Sequence, residues 1–144
     1  MRTAFALLVA LLIATGTLAQ NKVPGELALE ALVKANLLSF NDANVTGNYT
    51  VFHAKLSKPF RDQFPPEKLK STFTEFVERQ IDIDIVAAMK PTYEPAPLVD
   101  RDGKLLVKGF FPTQPARVAF ELDFIPSDGE WKLIRINVKT VKAP

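Results

Sequence analysis

The most informative stretch of this sequence is RVAFELDFIPSDGEWKLIRINV, residues Arg117–Val138. Its first half alternates polar and apolar residues, the pattern of a β-strand with one buried face. The apolar set is Val118, Phe120, Leu122 and Phe124. Ser127-Asp128-Gly129 is typical of a hairpin turn, and Trp131–Val141 is predicted to return as a second strand. The C-terminal part therefore predicts a long antiparallel hairpin.

The residues before this hairpin also favour strands. Arg101-Asp102-Gly103 predicts a turn, and Lys104–Phe111 a strand that follows it. Further upstream, Ile81–Ile85 alternates isoleucine with aspartate, which indicates extended backbone. Pro91, Pro95 and Pro97 then exclude a helix and favour an irregular edge strand.

The first half of the sequence has helical spacing instead. A first helix is predicted over Pro24–Phe40, with Asn41–Asn44 ending it. A second, capped by Thr46 or Asn48 and broken or kinked at Pro59, is indicated by apolar residues three and four apart: Tyr49, Phe52, Leu56 and Phe60. A third opens at Pro65-Pro66-Glu67, and its apolar face is Leu69, Phe73, Phe76 and Val77.

Helices therefore precede strands along the chain, with no alternation between them. Segregated elements are typical of the α+β class, in which helices cover one face of an antiparallel sheet. The sequence thus predicts N-terminal helices packed on a curved antiparallel sheet, in a single domain over residues 20–144.

Residues 1–19 have the features of a signal peptide. A basic residue, Arg2, precedes the apolar run Ala4–Ile13, and small residues end the segment. We expect cleavage between Ala19 and Gln20, and therefore export to the periplasm or the medium. The apolar run is too short to span a bilayer comfortably, so no stable membrane insertion is expected after cleavage.

Composition excludes several chemistries. The chain has no cysteine, which removes disulfides, thiolate metal sites and cysteine nucleophiles. Its one histidine rules out a metal site built from several imidazoles, so neither a metal nor a cofactor is expected. The net charge of +2 comes without a basic run, so nucleic acid is not an expected partner.

The order of elements resembles the NTF2-like superfamily, a cystatin-like α+β cone. The likeness rests on ANVTGNYTVFHAKLSKPFRDQFPPEKLKSTF at 43–73, on KLLVKGFF at 104–111, and on the closing hairpin with Gly129-Glu130-Trp131. The resemblance implies a pocket between the concave face of the sheet and the helices. It implies no activity, because this fold serves isomerases, dehydratases, transport factors and scaffolds alike.

Few side chains are candidates for chemistry. His53 and Tyr49 stand four residues apart, on one face of a continuous helix, where they could polarise a carbonyl or move a proton. A histidine hydrogen-bonded at a helix surface is the alternative. Phe52, Tyr93 and Arg117 are candidates for binding a ligand, and core packing or cross-strand charge pairing is the alternative for them. Asp82 and Asp84 are either a paired carboxylate site or a solvated face.

These residues favour an exported, non-catalytic module that binds a partner protein, such as an envelope protein, or a small apolar ligand. The alternative function is a small isomerase or dehydratase that uses His53 with Tyr49 in the cone pocket. In the last strand, Trp131 and Leu133 have odd positions, whereas Ile134, Ile136 and Val138 have even ones. Regular alternation would therefore put apolar residues on both faces of the strand. Because both faces need cover, we expect a homodimer through the sheet.

Overall fold

The computed structural model describes residues 22–143. The predicted signal peptide at residues 1–19, with its cleavage site between Ala19 and Gln20, lies outside these residues. Helices occupy the first half of the described chain: α1 Glu26–Thr46, α2 Thr50–Lys55, α3 Lys58–Gln63, α4 Pro66–Thr72, α5 Thr74–Glu78, and a 3-10 helix at Asp84–Ala88. Five strands follow: β1 Thr92–Tyr93, β2 Leu98–Val99, β3 Leu105–Phe111, β4 Ala116–Ser127 and β5 Glu130–Lys142.

The strands form one open antiparallel sheet. Its order is β1-β3-β4-β5, and β2 also pairs with β3. The helices pack on one face of this sheet, through a single cluster of buried side chains. The predicted α+β class, with N-terminal helices on an antiparallel sheet, is therefore confirmed for the described residues.

The long hairpin has the predicted shape. β4 and β5 pair from Ala116↔Lys142 to Ser127↔Glu130. At the turn, Asp128 and Gly129 have φ angles of 53° and 80°, which is the conformation that a two-residue hairpin turn requires of both its central residues. The strand predicted over Lys104–Phe111 is also present, as β3.

The first helix is longer than predicted. Asn41–Asn44 does not end α1, which continues to Thr46 and stops at Gly47. Asn41 and Asn44 are buried within the helix, and tertiary partners satisfy the side chain of Asn41: its Nδ2 donates to Asp82 Oδ1, and its Oδ1 accepts from the Ile83 N–H. Such long-range partners remove the usual tendency of asparagine to leave a helix for local hydrogen bonds.

The next two predicted helices are each divided. The predicted break in the second is present, at Leu56 and Ser57 just before Pro59. Proline has no N–H to donate to the carbonyl four residues earlier, and the Ser57 N–H donates to the Leu133 carbonyl in β5 instead of within the helix. Pro59 lies in the first turn of α3, where its missing N–H costs little. The third divides at Phe73, which separates α4 from α5.

The prediction of extended backbone over Ile81–Ile85 is wrong. This segment turns into the 3-10 helix, with Ile83 buried and Ile85 53% exposed. The Asp82 carboxylate accepts the Asp84 N–H, a local bond that turns the chain, while Asn41 holds the backbone of Ile83. The alternation of isoleucine and aspartate, which predicted extended backbone, therefore belongs to a turn that these hydrogen bonds hold.

The prediction of a two-sided apolar β5 is also wrong. Asp123 pairs with Arg135 and Phe124 with Leu133, so Ile134 is an extra residue at a bulge. The bulge shifts the alternation by one residue. Leu133, Ile136 and Val138 therefore all lie opposite inward-facing residues of β4, on the face that the helices cover. The original reason for a sheet-mediated homodimer is removed, although the homodimer itself stays a prediction.

Candidate functional site

The inner face of the sheet is filled by side chains. Its buried residues are Leu105, Val107, Phe111, Val118, Phe120, Leu122, Phe124, Leu133 and Val138. The helices add Phe40 and Phe52 to the same cluster. Large, fully buried rings thus occupy the place where the resemblance implied a pocket.

Tyr49 and His53 do not share a site in this structure. The Tyr49 hydroxyl donates to Asn44 Oδ1, and the residue is 3% exposed. His53 Nε2 lies 3.2 Å from the Arg61 carbonyl oxygen. Each polar group is therefore engaged with a different neighbour, and burial raises the pKa of the Tyr49 hydroxyl.

The other aromatic candidates lie in the core. Phe52 is buried, with its ring edge-on to Phe40 at 5.7 Å. Tyr93 packs edge-on to Phe120 at 6.5 Å, and its hydroxyl is buried without a hydrogen-bond partner among the described residues. Burial raises the pKa of Tyr93, with a further rise from the nearby charges of Glu30 and Glu26.

Phenylalanine at position 93 should therefore cost nothing. In Tyr93→Phe, we expect the free energy of unfolding to stay the same or rise by up to about 1 kcal/mol, because an unpaired buried hydroxyl is removed. The matched control is Tyr49→Phe, which breaks a hydrogen bond to Asn44 and should lose about 1–2 kcal/mol. Urea denaturation measures both. A loss in Tyr93→Phe as large as in the control would show that the hydroxyl has a polar partner.

The Asp82 carboxylate is held by hydrogen bonds within its own chain. Asp82 Oδ1 accepts from Asn41 Nδ2 at 2.7 Å and from the Asp84 N–H at 3.0 Å. Among residues 22–143, no group of three or more histidine, cysteine or acidic side chains is placed to hold a metal ion.

The opposite face of the sheet is open. We call it the outer sheet face and define it by Leu98, Leu106, Lys108, Phe110, Arg117, Ala119, Glu121, Asp123, Ile125, Arg135, Asn137, Lys139 and Val141, which alternate with the inward-facing residues. All of these side chains are half-buried or exposed. No described helix contributes to the two grooves that lie on this face.

The first of these grooves has an apolar side and a charged side. It measures about 210 Å3 and runs beside β2 and β3. Its apolar side comprises Pro95, Ala96, Leu98 and Leu106, and its charged side comprises Lys108, Glu121, Asp123 and Arg135. Leu98 is 45% exposed, so the apolar side of this groove is open to solvent.

The charged side is an ion-pair ladder across three strands. Lys108 Nζ lies 3.1 Å from Glu121 Oε1, and Arg135 lies 2.9 Å from Glu121 Oε2 and 3.8 Å from Asp123 Oδ2. The hydrogen bond from Lys108 lowers the pKa of Glu121. Burial raises the pKa of Asp123, against the opposing pull of Arg135 and Lys104. The ladder fixes charged groups of both signs beside apolar surface.

Arg117, a sequence candidate, does lie on the outer sheet face. Its guanidinium stacks on the Phe110 ring, 4.3 Å from the ring centroid. A second groove, of about 220 Å3, lies nearby and is lined in part by Ala119, Asn137 and Lys139.

Sequence reasoning missed Leu98, Leu106, Lys108 and Arg135 as site residues. Leu106, Lys108 and Phe110 alternate with the buried residues of β3, so the pattern that predicted the strand also contained them. Leu98 follows three prolines and gave no periodic signal. The bulge at Ile134 hid the side on which Arg135 lies.

Another groove lies among the helices. It measures about 350 Å3, between the end of α1 and α5, and is lined by Asn44, Val45, Phe76, Val77, Gln80, Ile81 and Asp82. The Asn44 Nδ2 group is buried without a hydrogen-bond partner among residues 22–143. Its walls mix polar and apolar residues, and it lacks the charged ladder of the outer sheet face.

The fold and the site together define an α+β protein with an open five-stranded antiparallel sheet. Comparison with protein families, curated proteins and solved structures found no match for this chain. The architecture is compatible with an NTF2-like fold. Within the described residues, no helix combines the length and apolar character needed to cross a bilayer.

Proposed function

We propose that this chain is an exported, non-catalytic binding module of NTF2-like type, which holds a partner protein on its outer sheet face. One observation carries the proposal: the outer sheet face presents an apolar groove beside a charged ladder, whereas the inner face is filled. Apolar surface bordered by charge is typical of surfaces that bind proteins.

The filled inner face argues against an apolar ligand inside the cone. A site for such a ligand normally offers several hundred Å3 of concave space. Here Phe111, Phe120 and Phe124 are all buried, in one cluster with side chains of the helices. A ligand could enter only if these rings moved apart.

The alternative function, an isomerase or dehydratase using His53 with Tyr49, has less support. A general acid and base must both reach the reacting atoms. The Tyr49 hydroxyl instead points to Asn44, and His53 Nε2 lies beside the Arg61 carbonyl. A groove of about 290 Å3 at the start of α2 is lined in part by Tyr49 and not by His53.

The outer groove is tested with 8-anilinonaphthalene-1-sulfonate, an apolar anion. Its rings fit the Leu98 and Leu106 side of the groove, and its sulfonate can pair with Lys108 or Arg135. We expect NMR shifts of the surrounding amides on titration, and Leu106→Asp should weaken binding at least tenfold, about 1.4 kcal/mol. The matched control is Leu27→Asp, because Leu27 is 82% exposed on α1, and it should leave binding unchanged.

Three results would contradict this assignment. Shifts centred on Tyr49, His53 and Tyr93 would favour a pocket inside the cone. Shifts centred on Phe76 and Gln80 would favour the groove among the helices. Equal losses in Leu106→Asp and Leu27→Asp would show that the probe reads general surface properties.

A second copy of the chain is the partner that the pure protein can supply. Alternating charges in the ladder can meet the same ladder in a two-fold arrangement. We expect sedimentation equilibrium to show a concentration-dependent dimer that Leu106→Asp dissociates. A mass that stays monomeric at every concentration would exclude the second copy and leave a different protein as the partner.

A further inference from the structure

The last strand of the sheet has a free edge. β5 lies at the end of the strand order and pairs with β4 on one side only. Within residues 22–143, the one backbone hydrogen bond that reaches β5 from outside the sheet joins the Ser57 N–H to the Leu133 carbonyl, at 3.0 Å. We call the backbone beyond that contact, Ile136–Lys142, the free edge of β5. Alternate N–H and C=O groups of such an edge face away from the sheet.

The two sides of this edge differ in chemistry. On the outer sheet face, Arg135 and Lys139 flank the edge, and both are exposed. Lys139 has no ion-pair partner among the described residues. On the inner side, Ile136 and Val138 continue the apolar surface of the core, and Thr140 and Lys142 follow them at the end of the strand. Over Ile136–Lys139, an added strand would therefore meet the charge of Lys139 on the outer face and apolar side chains on the inner one.

These charges decide which occupant fits. Two copies could in principle pair through their β5 strands. The residues of β5 on the outer sheet face from Arg135 to Val141 are all cationic or neutral. Lys139 and Arg135 would therefore meet no acidic group across such a pair. Lysine on an edge strand is a common guard against such self-pairing. A strand with outward acidic side chains instead gains a cross-strand pair with Lys139.

We propose that the free edge of β5 accepts an extended acidic segment of the partner, which adds a sixth strand to the sheet. The segment alternates acidic residues, one of them beside Lys139, with apolar residues, beside Ile136 and Val138. This proposal rests on the proposed function and names the partner's chemistry. Strand addition supplies affinity through backbone hydrogen bonds and specificity through alternate side chains.

The register of the added strand is set by this two-sided chemistry. A slip of one residue would move every acidic side chain to the apolar side. The bulge at Ile134 ends the regular ladder before the edge begins. The segment therefore pairs with Ile136–Lys142 and does not extend to Leu133, whose carbonyl Ser57 already occupies.

The test uses an acetylated peptide of alternating valine and glutamate, as long as Ile136–Lys142, with the chain from Gln20 to Pro144. We expect hydrogen-exchange protection of alternate amides in Ile136–Lys142 when the peptide binds. Lys139→Glu should weaken binding at least tenfold, and a valine-lysine peptide should bind this variant better than the parent. Lys70→Glu, the same charge change on exposed α4, should leave both peptides unaffected.

Backbone pairing is separated from charge attraction by N-methylation. Two further peptides carry methyl groups on alternate nitrogens, in one register or the other. We expect one version to lose binding and the other to keep it, because only one set of N–H groups faces β5. Equal binding by both versions would overturn the proposal, since plain charge attraction does not depend on backbone N–H groups.

Failure here is distinguishable from failure of the proposed function. Strand addition is overturned if the valine-glutamate peptide does not bind at concentrations up to about 1 mM. A Kd of about 1 mM corresponds to a binding free energy of about 4 kcal/mol. The outer groove is read separately, through the naphthalene probe and Leu106→Asp. Binding of the probe without binding of the peptide would leave the binding module and remove its acidic strand.

Discussion

The substitution Phe40→Ala should remove a large part of the protein's stability. We expect the free energy of unfolding to fall by about 4 kcal/mol, as for other buried phenylalanines replaced by alanine. Phe40 is fully buried, and its ring lies edge-on to Phe52, Phe73 and Phe76, at centroid distances of 5.7, 4.8 and 5.0 Å. One ring thus joins α1 to α2 and to the α4–α5 segment.

Urea denaturation followed by circular dichroism measures this loss of free energy. In thermal denaturation, we expect Tm to decrease by roughly 15 °C. The matched control is Phe110→Ala, because Phe110 is half-buried on the outer sheet face beneath Arg117. We expect it to lose about 1 kcal/mol or less. Similar losses in both variants would contradict the position of Phe40 at the centre of the core.

The second large effect is expected for Gly109→Ala. A Cβ atom at Gly109 would lie 2.0 Å from the Thr92 carbonyl oxygen and 3.0 Å from Tyr93 Cα. These are backbone atoms of β1, which pairs with β3 at this point, so they cannot move aside as a side-chain tip can. Either the two strands separate or β3 distorts, and we expect a loss of about 3 kcal/mol.

The pKa of Tyr93 shows which of these happens. Burial raises the pKa of Tyr93 in the native protein, so separation of β1 should return it toward its ordinary value. Ultraviolet titration measures the change, and Tyr49, whose pKa is raised by burial elsewhere, serves as the internal reference. Gly25→Ala is the control, because a Cβ there has open space, and it should cost less than about 1 kcal/mol. Equal stability of the two variants would contradict the contact.

Sequence patterns predicted those elements whose structure depends only on residues that are close together in the chain. The β4–β5 hairpin followed from alternation and from Asp128-Gly129, because a hairpin needs only a period of two and a turn that accepts positive φ. The divided helices were harder to foresee. Pro59 predicted a break in the second helix, but its place at Leu56 and Ser57 also depends on a β5 carbonyl far away in the sequence.

The candidate site was predicted only in part. Arg117 does lie on the outer sheet face, where it stacks on Phe110. Tyr49 and His53 were expected to act together because i and i+4 residues are neighbours on a helix. Their polar atoms turn to Asn44 and to the Arg61 carbonyl instead, and neither partner is visible from helical spacing.

Alone, the sequence determined the α+β class, the order of helices and strands, the two hairpin turns and the inward residues of β4. These features depend on neighbours in the chain, so their signals are local and repeat along it. Only the tertiary structure decided that Asn41 stays in a helix, that Ile81–Ile85 turns, and that the bulge at Ile134 puts Leu133 and Ile136 on one face. Each of these depends on a hydrogen bond or a strand register set by residues distant in sequence, whose energy outweighs local preference.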